Sequence, residues 1–139
     1  VQAKAMKKQG ELSVPGAVVI VVDDDSAVRN SLKFSLEIEG FVVLAYASGT
    51  ELLSGLDLPV CRCLVIDHKM PGMTGMDLIA TLRNRHISAP AILITSQPNT
   101  VLTERAARAN IPIVEKPLLG NALLDRIRDA CAPADNAQP

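Results

Sequence analysis

Tryptophan is absent from this chain of 139 residues, and its only aromatics are Phe34, Phe41 and Tyr46. Any core must therefore be aliphatic. Cysteine is scarce and odd in number: Cys61, Cys63 and Cys131. Such a set makes no disulfide framework and fits a reducing compartment. Cys61-x-Cys63 resembles half of a metal site, but only His68 and His86 could complete it, and they lie apart. The thiols read as small hydrophobes in or near the core. No long basic run exists, and 14 basic against 15 acidic side chains give a net charge of -1. That argues against direct nucleic-acid binding by this domain. No apolar run approaches the roughly 20 residues of a membrane span. The amino-terminal lysines are not followed by an apolar stretch, so they do not form a secretory signal. A G-x-x-x-x-G-K-[ST] loop is also missing, which removes support for a P-loop nucleotide site. The expectation is a cytoplasmic domain that contacts neither membrane nor nucleic acid.

What is present is regular. The length suits one domain, and 48% hydrophobic with 21% charged residues is a globular composition. Residues 1–15 are polar and aperiodic, and are expected to be a flexible lead or tag. Residues 132–139 carry two prolines and are expected to be a disordered tail or linker. Between them, 16–131 alternates two patterns. Short β-branched or aliphatic runs at 17–22, 41–46, 63–67, 91–95 and 111–115 predict strands buried on both faces. Ser26 is the expected N-cap of a helix bearing Val28, Leu32 and Leu36 and ending at Gly40. A short helix is expected from Ser48 or Thr50 to about Leu56. Met76, Ile79 and Leu82 mark another, and a further helix covers about 101–109. Leu119, Leu123, Ile127 and Cys131, each four residues on, mark the last.

Five strands alternating with five helices predict an α/β fold, a doubly wound five-stranded parallel sheet with helices on both faces. In the flavodoxin-like order 2-1-3-4-5, strands one and three adjoin at the switch point, where ligands sit beyond the carboxyl ends. Those ends carry the polar residues. Asp23, Asp24 and Asp25 follow the first strand, Asp67 ends the third, Thr95 ends the fourth and Lys116 follows the fifth. An aspartate after a strand is often only a turn or cap, and a lysine before proline is usually solvated. Four polar groups converging on one rim are harder to ascribe to chance. Clustered carboxylates without Cys or His favour Mg²⁺ or Mn²⁺. Mg²⁺ uses few protein carboxylates and shares its shell with phosphate oxygens. Lys116 and Thr95 would then serve the phosphate as point charge and hydroxyl donor.

The stretches "VVDDDSAVR", "CLVIDHKMPGMTGMDL", "ILITS" and "VEKP" resemble the response-regulator receiver domain of two-component signal transduction. Their flavour is similar to receivers of nitrogen-fixation-type regulators. The resemblance implies that Asp67 accepts a phosphoryl group from a sensor histidine kinase. It implies that Asp24 binds Mg²⁺ (or Mn²⁺) directly, Asp23 through water, and Lys69 through its backbone carbonyl, with Asp67 completing the set. Thr95 and Lys116 would contact phosphoryl oxygens, and the Lys116–Pro117 bond would be cis. Asp25 reads as a helix N-terminal charge rather than a ligand. The implied role is a signalling receiver that catalyses only its own phosphorylation and dephosphorylation. It would switch an output domain or partner protein. A phosphorylation-linked homodimer would use the surface of the fourth helix, fifth strand and last helix.

Two departures bear on output. The family usually carries an aromatic residue three before the lysine, where this chain has Ile113. Asn110 stands where glycine is frequent, and asparagine tolerates the left-handed backbone. Two other functions compete. One is a degenerate receiver acting as a phosphorylation-independent interaction module, which the complete site residues argue against. The other is an aspartyl-nucleophile phosphatase, whose Asp-x-Asp would need an acid where Lys69 stands.

Overall fold

The strands form where β-branched residues cluster, because those side chains suit a pleated surface covered on both faces. In the computed structural model, which describes residues 16–55 and 57–132, they are β1 (Val18–Val22), β2 (Val42–Tyr46), β3 (Cys63–Asp67), β4 (Ala91–Thr95) and β5 (Ile113–Glu115). Between and after them run α1 (Ser26–Ile38), α2 (Gly49–Leu53), α3 (Gly75–Asn84), α4 (Thr100–Arg108) and α5 (Ala122–Cys131). All neighbouring strands pair parallel, in the order β2-β1-β3-β4-β5. The predicted fold class and strand order are both found.

The period-two alternation divides the core into two layers. Val19 and Val21 of β1, with Val65 of β3, face α1 and α5 and pack with Leu32, Leu36, Leu123 and Ile127. Ile20 and Val22, with Leu64 and Ile66, face α2, α3 and α4 and meet Leu52, Leu78, Leu82 and Leu102. Val19 to Val22 are all fully buried. At about 1.5–3 kcal/mol for each fully buried aliphatic side chain, β1 is a principal hydrophobic anchor of the sheet. Cys63 and Cys131 lie in the first layer and half-buried Cys61 against the second, all three as free thiols. Burial raises the pKa of each, so they are poor nucleophiles.

Several local expectations need correction. Asp25, not Ser26, caps α1: its carboxylate accepts the N–H groups of Ala27 at 2.9 Å and Val28 at 3.4 Å. A carboxylate there also meets the positive end of the helix dipole. The last helix begins at Ala122 rather than Leu119. Gly120, at φ 71°, interrupts the chain, and Leu119 is 77% exposed in the turn after Pro117. β5 starts at Ile113 because Pro112 has no N–H for the ladder. α2 stops at Leu53, short of Leu56, a residue outside those described. The lead (1–15) and tail from 133 also lie outside the described residues. Ser48 does cap α2, and Asn110 takes φ 59°.

Candidate functional site

Strand register places the polar residues. Val22 pairs with Ile66 and Asp67 with Ile94, so Asp23 and Asp67 stand side by side at the carboxyl edge. Thr95 pairs with Glu115, which puts Lys116 next along the rim, its N–H donating to the Thr95 carbonyl at 2.9 Å. The Lys116–Pro117 bond is cis.

Asp23 is fully buried and Asp67 nearly so, while Asp24 is exposed at the mouth. Ligand-capable oxygens of all three lie within 4.8 Å of one another. Lys116 bridges the inner pair, with Nζ 3.1 Å from Asp23 Oδ2 and 3.3 Å from Asp67 Oδ1. Asp23 is held from several sides. Its Oδ1 accepts the Asp25 N–H at 2.9 Å, and its carbonyl accepts Arg29 Nη1 at 2.7 Å. Its Oδ2 has the ammonium beside it but no well-directed hydrogen bond. A buried carboxylate oxygen in that state pairs with one cation and still has lone pairs open to a further ligand.

Burial, the Asp23 charge and, less strongly, Asp24 push the Asp67 carboxyl up to about 7, although Lys116 opposes them. Burial works against charge on Lys116 too, but Asp23 and Asp67 outweigh it and hold its pKa above the ordinary value. One cation thus shares two buried carboxylates, and a third stands at the rim. Hard oxygen donors, an Oδ2 without a well-directed hydrogen bond and three clustered carboxylates against one ammonium together fit a divalent hard cation such as Mg²⁺.

The rim is closed by contacts that no sequence pattern signals. Gln97 donates its backbone N–H to the Thr95 hydroxyl at 3.2 Å, and its side-chain oxygen accepts Lys69 Nζ at 3.1 Å. The loops after β3 and β4 are so tied together. Gly75 brings the α3 N-terminus against the Asp67 strand: its N–H donates to the His68 carbonyl at 2.9 Å. A Cβ there would fall 2.6 Å from the Asp67 carbonyl oxygen. The "PGMTG" segment pointed to a turn but not to this close approach. Burial, followed by the positive charge of Arg105, lowers the pKa of His68.

A 2-1-3-4-5 parallel sheet with an acidic pocket, a strand-end aspartate and a bridging lysine defines the class of receiver domains in two-component response regulators. Residues 19–128 match the response regulator receiver domain family, and the chain belongs to it. Among its relatives is nodulation protein W of Bradyrhizobium diazoefficiens, 34% identical over 112 residues, covering 80% of this chain and 49% of that protein. Another is transcriptional regulatory protein FixJ of Rhizobium meliloti, 32% identical over 113 residues, covering 81% and 55%. The chain thus spans about half the length of these curated relatives. The solved structure of FixJ-N superposes with a TM-score of 0.72 at 30% identity, covering 85% of this chain and 95% of that one. A CheY-like receiver from Methanospirillum hungatei gives 0.75 at 25% identity, covering 82% and 92%. No helix among the described residues is long and apolar enough to cross a membrane.

Proposed function

We propose that this receiver accepts a phosphoryl group from a sensor histidine kinase onto Asp67 and thereby switches an output domain or partner protein. The observation that carries the reading is the position of Asp67: nearly buried at the end of β3, beside Asp23 and Asp24, and within 3.3 Å of the Lys116 ammonium. A carboxylate is a weak nucleophile, so positioning and charge neutralisation must supply most of the catalysis.

An Asp67 oxygen attacks the phosphorus of a phosphohistidine. A P–O bond forms as the P–N bond breaks, and the imidazole leaves with a proton from solvent. Asp24 and Asp67, the Lys69 carbonyl, and Asp23 through water would hold the metal. Bound Mg²⁺ supplies neutralisation of the phosphoryl charge during transfer. Lys116 moves from bridging two carboxylates to pairing with a phosphoryl oxygen. The Thr95 hydroxyl, which accepts from Gln97, keeps its own proton to donate to another. Water attack on phosphorus later restores the carboxylate and releases inorganic phosphate, which resets the switch.

On this reading the chain works in the cytoplasm. Half-buried Ile113 replaces the aromatic ring of the usual output path. The signal then passes through backbone movement of the loop after β4 and through α4. The α4–β5–α5 surface serves as the partner or homodimer face. The test is intact-mass measurement after acetyl phosphate and Mg²⁺. One added phosphoryl group is expected on wild type and none on Asp67→Asn. Equal labelling of both proteins would remove Asp67 from the role.

A further inference from the structure

Three arginines converge on one groove away from the acidic pocket. α3 and α4 lie side by side on the same sheet face, and a cleft of about 360 Å³ runs between them. Arg83 enters from the last turn of α3, and Arg105 and Arg108 from the last turn of α4. Cations at helix C-termini commonly do no more than complement the dipole. That accounts for basic residues on each helix but not for their meeting across a shared cleft.

The local charge is unbalanced. Asp77 lies 3.7 Å from Arg105, and among the described residues neither Arg83 nor Arg108 forms an ion pair. Arg83 is held in place by its Nη1, which donates to the Ile87 and Ala89 carbonyls at 2.9 Å each. A guanidinium fixed by one nitrogen keeps its remaining donors oriented for an incoming carboxylate. Between the arginines the cleft is apolar and low. Exposed Ala80 and Ala109 form its edges above buried Ile79 and Ile111. Small edges let a backbone approach closely, and the arginine stems add apolar surface.

We infer that the α3–α4 groove docks an acidic amphipathic segment of a partner protein, with carboxylates on Arg83, Arg105 and Arg108 and small apolar side chains against the alanine-edged floor. Arg105 and Arg108 are three residues apart, one turn of helix, which matches carboxylates one turn apart on a helical partner. A nucleic acid fits less well. Three cations neutralise too few phosphates for useful binding, and bases offer nothing matched to an aliphatic floor. Docking here needs no phosphoryl group on Asp67, so the unmodified chain is the material for the test.

The probe is a short fluorescein-labelled amphipathic peptide with leucine and alanine on one face and glutamate flanking it. Anisotropy is read against wild type, Arg108→Ala and Arg83→Gln/Arg105→Gln. A glutamine-for-glutamate peptide and a labelled single-stranded oligonucleotide are run in parallel. The acidic peptide is expected to bind wild type and to weaken about tenfold with Arg108→Ala, the scale of one charge-assisted hydrogen bond. The double variant should weaken further, and the glutamine peptide should not bind. Amide shifts in wild type should map to α3 and α4. No binding of the acidic peptide to wild type, equal binding to the arginine variants, or arginine-dependent binding of the oligonucleotide alone would overturn the inference. Matching thermal melts of the variants exclude misfolding as the cause of any loss.

Discussion

Asp67 is subject to opposed demands. Its burial lets the surrounding charges act strongly on it, yet burial and Asp23 also raise its pKa from 3.8 to about 7. A carboxyl raised in the folded state stabilises the fold fully below its unfolded pKa and loses that contribution as pH climbs through the folded value. In metal-free buffer, wild type should therefore lose stability relative to Asp67→Asn as pH rises from about 4 to about 8. The amide carries no charge at any of these pH values. Parallel thermal melts across that range check this, and a constant difference would contradict the charge assignment. Lys116 belongs to the same balance. Lys116→Ala leaves buried Asp23 without its cation and should cost about 3 kcal/mol, the lower end for breaking a buried pair. Denaturant unfolding measures it, and a loss near zero would mean the carboxylates are not held by this ammonium.

Among the elements, α3 depends most on a single residue. Thr74 caps it, accepting the Asp77 N–H at 3.2 Å, and Gly75 lets it press onto the β3 edge. A methyl group at position 75 would meet the Asp67 carbonyl at 2.6 Å and His68 Cα at 2.8 Å. Both are backbone, and neither can turn aside. Gly75→Ala should destabilise by about 1–3 kcal/mol and slow phosphorylation by displacing Asp67. Chemical denaturation and labelling rates together check this, and an unperturbed variant would show that the approach can relax.

Strands and helix ends differ in how plainly the sequence discloses them. The strands were legible because β-branched runs have few alternative uses, and strand-end aspartates because they interrupt such runs. Helix ends were less so. Asp25 and Ser26 are both capping types, and only geometry shows that the carboxylate reaches two N–H groups. Leu119 kept a perfect four-residue spacing with Leu123, yet Gly120 turns the chain between them. Gln97 and Arg29 carried no signal, because their partners are backbone atoms or side chains supplied by other loops.

For the whole molecule, the acidic pocket is a concentration of like charge that folding must tolerate. Binding of a cation to the native state alone raises stability by mass action. Mg²⁺ should therefore raise the melting temperature of wild type, by about 2.7 kcal/mol of stability when free ion exceeds Kd about a hundredfold. Asp24→Ala, which removes an exposed carboxylate, should blunt that response without disturbing the core. An unchanged Mg²⁺ response in Asp24→Ala would show that the ligand set is wrong. The two-layer core makes this separable, because Asp24 lies outside both layers.

The central claim is that an acyl phosphate forms on Asp67. Borohydride reduces an acyl phosphate to an alcohol, converting the modified aspartate to homoserine. The direct measurement is peptide mapping after acetyl phosphate, Mg²⁺ and borohydride. Homoserine at position 67 alone, and none when Mg²⁺ is left out, is the predicted result. Homoserine at Asp23, Asp24 or Asp25 instead, or at no position despite intact protein, would contradict it.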